Sequence, residues 1–77
     1  MKSVLGPNIS QGAGILGFST NINDANKIQL LGKKLYPDFN VIILDLSNPD
    51  QRITAINIDP DIADFKSGYV VAISILA

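Results

Sequence analysis

Apolar and polar positions alternate along this chain with two different periods. From Ala25 onward the period is helical: Ala25, Ile28, Leu31 and Leu35 share one stripe, with Leu30 at its flank. Asn26, Lys27, Gln29, Lys33 and Lys34 take the other side. The run Thr20-Asn21-Ile22-Asn23-Asp24 supplies cap residues, Asp24 and Lys33-Lys34 complement the helix dipole at its two ends, and Pro37 forbids continuation much past Tyr36. The spacing therefore predicts one main helix between about Asp24 and Tyr36.

Elsewhere the pattern is that of strands. Ala13 to Thr20 is apolar and glycine-rich, which predicts a first strand whose glycines permit a bulge or a close backbone approach. Phe39 to Ser47 is almost continuously apolar, as a strand covered on both faces would be. Ser47-Asn48-Pro49-Asp50 is a turn signal, and Gln51 to Asp59 returns with partial alternation, so 39–59 is expected to form a β-hairpin. Asp59-Pro60-Asp61 can cap a brief helical turn through Ile62 to Phe65, ended by Gly68, before a last strand from Tyr69 to Ala77. Residues 1–12, with Gly6-Pro7-Asn8 and Ser10-Gln11-Gly12, are expected to form an N-terminal arm ahead of a single α+β domain over 13–77. The resulting order is βαββαβ. It predicts a ferredoxin-like fold, one main helix on a four-stranded, mainly antiparallel sheet, with the second helix over 61–66 short or absent.

Burial then becomes the issue. One helix covers one face of a sheet, yet Ile42, Leu44 and Leu46 alternate with Val41 and Ile43, and Val71, Ile73 and Ile75 alternate with Val70, Ala72 and Leu76. Leaving one such face wet forgoes roughly 1.5–3 kcal/mol per large side chain. Composition sharpens the point: 77 residues bury a small core, 47% are hydrophobic and only 17% charged, and neither Cys nor His is available to add disulfides or the common zinc ligand sets. Self-association, or docking on a larger protein, is the remaining way to enlarge the core. The expected interface is Val41, Ile43, Val71, Ile73 and Ile75.

Charge and motifs narrow the chemistry. A net charge of −1 provides no basic field for nucleic acid, and the patch Lys27, Lys33, Lys34 is what a solvated helix face carries. All acidic residues are Asp, which suits caps and turns. No apolar run approaches the ~20 residues of a membrane span, and no signal-peptide core follows Met1, so a soluble, cytoplasmic protein without a membrane partner is expected. Gly12-Ala13-Gly14-Ile15-Leu16-Gly17 matches the letters of a dinucleotide-binding loop, but no helix begins beside it, and strand glycines explain it better. Asp59, Asp61 and Asp64 lack the spacing and closing Glu of a calcium loop, so no metal and no cofactor is assigned.

The best small-ligand site is the loop that feeds the helix. Ser19, Thr20, Asn21 and Asn23 offer hydroxyl and amide groups beside free helix amides, which suits a small anion or polar metabolite. Without His or Cys, no nucleophile and base pair is legible, and catalysis is not expected. The first expectation is thus a non-enzymatic assembly or interaction module. The second rests on a resemblance: the element order is similar, at the level of topology, to ACT-type amino-acid sensors, which implies a regulatory domain holding a metabolite in the loop before the helix.

Overall fold

The protein is described here by a computed structural model covering residues 13–75. Strands and helices alternate along it: β1 (Ala13–Ser19), α1 (Ile22–Leu35), β2 (Phe39–Asp45), α2 (Pro49–Ile58) and β3 (Tyr69–Ile75), with a 3₁₀ turn at Pro60–Asp64 leading into β3. The expected arm at 1–12 lies outside these residues, as does the end of the last strand.

The fold is α+β, but it is not the four-stranded ferredoxin-like arrangement. Its sheet has three strands in the order β1-β3-β2, with β3 antiparallel to both neighbours. The missing strand is the second arm of the expected hairpin. Residues from Gln51 onward form a helix because Ser47-Asn48-Pro49-Asp50 is an N-terminal cap rather than a β-turn. The Asn48 side chain accepts hydrogen bonds from the amides of Asp50 (3.0 Å) and Gln51 (3.2 Å). Pro49 stands in the first helical turn, where its missing N–H costs nothing, and Asp50 faces the positive end of the dipole. With that strand gone, so is the element order on which the ACT-type likeness rested.

Helix α2 also resolves the burial problem. The face carrying Ile15, Phe18, Ile42, Leu44, Val70 and Ala72 packs against Ala55, Ile56, Ile58 and Ile62, while the opposite face, with Leu16, Val41, Ile43, Val71 and Ile73, packs against Ala25 and Ile28 of α1. The sheet is therefore the middle of three layers. Val70, Val71, Ala72 and Ile73 in β3 are all buried, enclosed by a strand on each side and a helix layer above and below. The 3₁₀ turn expected after Asp59 is present, capped by Asp59, whose carboxylate accepts from the Asp61 amide at 3.0 Å. Arg52 ties this segment to α2, donating to the carbonyls of Ala63 (2.9 Å) and Phe65 (3.1 Å).

The face of α1 differs from the expected stripe. Ala25 and Gly32 are buried and Ile28 is half-buried, but Leu31 and Leu35 are exposed. Gly32 sets this rotation. A Cβ there would stand 2.5 Å from Leu16 Cδ1 and 3.2 Å from a Val41 methyl, so the helix backbone itself lies on the sheet at this position. A register shift between Ile15 and Gly17 forms a bulge in β1. It turns both Leu16, which packs in the α1 layer, and Gly17, which abuts Ile28, toward that helix.

Gly68 makes the turn into β3 with φ of +110°, where a Cβ would meet Phe18 Cζ at 2.6 Å. Gly68→Ala is expected to lower stability by about 1–3 kcal/mol, through backbone strain and displacement of Phe18 from its stack on Phe65. Urea unfolding would show this as a lower midpoint at unchanged slope.

Candidate functional site

The loop before α1 is built from its own hydrogen bonds. Ser19 ends β1, and its hydroxyl accepts from the Asn21 amide at 3.0 Å; the Asn21 side chain accepts from the Asn23 amide at 2.7 Å, and the Asn21 carbonyl accepts from the Ala25 amide at 3.0 Å. Thr20, Asn21 and Asn23 are exposed and Ser19 is half-buried. The structure therefore brings all four expected residues together, in the geometry of a helix cap that occupies two of their side-chain oxygens. Asp45 behaves similarly, its carboxylate accepting from the Ser47 amide at 2.9 Å.

The other motifs disperse. Gly14 and Gly17 lie inside β1, with α1 beginning only at Ile22, so they form no strand-to-helix phosphate turn. Asp59 caps the 3₁₀ turn, and among the described residues no group of three or more acidic side chains is arranged to hold a metal ion. Likewise among those residues, no helix is long and apolar enough to cross a membrane.

The expected interface residues sit under α1. Val41, Val71 and Ile73 are buried within the chain itself and Ile43 is half-buried; of Ile75 only the backbone is described, paired with Phe39. The first three have no surface left to offer a partner, because α1 covers that face while α2 covers the other.

Apart from Phe65, just after the 3₁₀ turn, the large exposed apolar side chains among the described residues lie on the helices instead. Leu30 is 66% exposed, Leu31 55% and Leu35 62%, all on α1, and Ile53 of α2 is 58% exposed. Leu31 and Leu35 adjoin each other around the helix, about 40° apart, whereas Leu30 stands about 100° from Leu31 with Lys27 and Lys34 between them. Comparison with models of known protein families, with curated protein sequences and with solved structures gives no match. The function must be argued from this chain alone.

Gln29, expected on the outer side of the helix, and Gln51, expected to begin a strand, both reach one edge of the sheet. Gln29 of α1 donates its side-chain amide to the Val41 carbonyl at 3.0 Å, and Gln51 of α2 accepts at 2.7 Å from the Asp45 amide. Helices on opposite faces thus reach around the sheet to the same strand, β2. The legible signal for the rotated α1 face was Gly32 itself, since a glycine in mid-helix often marks a close approach. Taking Gly32 as a contact point puts Ala25, Ile28, Gln29, Gly32 and Tyr36 inward and the leucines outward.

Asn21→Ala removes the cap of α1 and is expected to cost roughly 0.5–2 kcal/mol, whereas Thr20→Ala, at an exposed position with no cap role, stays within about 0.5 kcal/mol of the native chain. Thermal or urea unfolding of the two variants side by side checks the contrast.

Proposed function

We propose that this protein is a non-enzymatic assembly module that self-associates through the outer surface of α1. The observation that carries this reading is the exposure of Leu30, Leu31 and Leu35 together on one helix, in a chain whose sheet is already covered on both faces. Burying a leucine is worth roughly 1.5–3 kcal/mol, so three of them held at more than half exposure leave substantial apolar surface in water. Association recovers that energy. Lys27 and Lys34, also exposed, lie between Leu30 and the Leu31–Leu35 pair, with Lys33 beyond Leu30, and their charges keep this surface soluble.

The chemistry of the remaining surface supports the same reading. The polar side chains at the start of α1, in the Ser47–Asn48 turn and at Asp59 bond to nearby main chain, which makes them structural caps. The sequence contains no His or Cys to supply a nucleophile or a base.

Sedimentation velocity over a rising concentration series is expected to show a reversible increase in mass. Replacing Leu30, Leu31 and Leu35 together with Glu should abolish the increase while leaving the circular dichroism spectrum native, because these side chains are not part of the core. A native chain that remains monomeric at every concentration, or a triple variant that associates as well as the native chain, would overturn the reading.

A further inference from the structure

We infer that the self-association proposed above, on which this step rests, is a two-fold dimer in which β1 of one copy pairs antiparallel with β1 of a second, the α1 helices meeting over the seam through Leu31 and Leu35. The two edges of the sheet are not equivalent. On β2 outward main-chain groups toward both ends are taken, the Phe39 amide by the Tyr36 carbonyl at 3.0 Å, the Val41 carbonyl by Gln29, the Asp45 amide by Gln51 and the Asp45 carbonyl by the Asn48 amide at 3.0 Å, which leaves those of Ile43 between them. Side chains that fill an edge in this way prevent a further strand from adding to it.

Among the described residues, strand β1 has no such cover: nothing hydrogen-bonds to its outer side, and Ala13–Ser19 contains no Lys, Asp, Glu or Pro of the kind that blocks edge pairing. The pairing register identifies which of its groups point outward. Val41 and Asp45 face away from β3, so Asn40, Ile42 and Leu44 face toward it and bond Ser74, Ala72 and Val70. The intervening Val71 and Ile73 of β3 then turn to β1, where they meet Gly17 and Gly14. This leaves the main-chain groups of Ile15 and Phe18 on the open side.

The leucines lie on that same side. Gln29 reaches the far edge of β2, whereas Ile28 packs against Gly17 of β1, which fixes the flank of α1 that overhangs β1. At 100° per residue Leu31 and Leu35 fall on the Ile28 flank, away from Gln29. The row Asp24, Ile28, Leu31, Leu35 carries one charge, Asp24 at its N-terminal end, so a two-fold axis near Leu31 and Leu35 brings no like charges together at the centre of the seam. Because Leu16, in the middle of β1, packs beneath Gly32, an axis through mid-β1 runs close to Gly32 and sets Leu31 of one copy against Leu35 of the other. Main-chain pairing fixes the register, and the leucines add apolar area toward the roughly 1,200–2,000 Å² of a stable interface. With both ends of β2 occupied, a further strand there could pair only around Ile43, so the six-stranded sheet ends at the dimer instead of growing into a fibre.

The test combines sedimentation with amide hydrogen exchange followed by NMR on the full chain. A dimer mass is expected, with the Ile15 and Phe18 amides protected at high concentration and exchanging at least roughly tenfold faster on dilution into the monomer range. Leu31→Glu with Leu35→Glu should raise the dissociation constant roughly tenfold or more. Gln29→Ala with Gln51→Ala should open β2 and produce species larger than the dimer. Concentration-dependent association with Ile15 and Phe18 exchanging fast throughout overturns the β1 seam but not the assembly reading. Protection of those amides that does not change with concentration likewise overturns the seam, since it means that the chain covers its own edge. A monomer at all concentrations overturns both.

Discussion

The structure depends on the enclosure of β3. This strand is hydrogen-bonded on both sides and covered above and below, and its residues Val70 to Ile73 are all buried. A strand with alternating large side chains on two faces needs a helix on each, because a single helix masks one face. Everything else is arranged to supply the second. The chain leaves β2, crosses the sheet as α2 and the 3₁₀ turn, and returns through Gly68 so that β3 slots between β1 and β2. Bonds from Arg52 hold the returning segment to α2.

The enclosure has a consequence for the surface. Packing α1 at backbone distance over Leu16 and Val41 requires Gly32 against the sheet, and that orientation turns Leu30, Leu31 and Leu35 outward. The core and the exposed leucines are thus two outcomes of one rotation. The same rotation directs Gln29 to the β2 edge, where it is joined by Gln51 from the other layer. The β2 edge is thus partly capped by side chains, the β1 edge has no such cover among the described residues, and the apolar flank of α1 lies on the β1 side.

Much was legible locally. The extents of β1, α1, β2 and β3 follow from turn residues and apolar runs, and Asn21, Asp24, Lys33 and Lys34 act at the ends of α1 as their residue types imply. Ser19, Thr20, Asn21 and Asn23 stand at the junction of β1 and α1, where the Ser19 and Asn21 side chains accept main-chain hydrogen bonds. The stretch Arg52-Ile53-Thr54-Ala55-Ile56-Asn57-Ile58 fits either period, so apolar spacing alone does not decide between strand and helix. Asn48, Pro49 and Asp50 decide it, since together they satisfy a helix start more completely than a turn.

By itself, the sequence determined that the sheet carries two apolar faces and that 77 residues without Cys or His must cover them by packing. It also determined where helix α1 begins and where it stops. Only the tertiary structure decided what does the covering. Helix α1 lies over Val41, Val71 and Ile73, and whether the other face, with Leu44, Val70 and Ala72, is core or surface depends on whether residues 49–58 return as a strand or lie across the sheet as a helix. The cap at Asn48 starts that helix locally, and hydrophobic burial then favours it because its apolar side fills the open face. The rotation of α1 was settled in the same way, by the space above Leu16 that only a glycine leaves free.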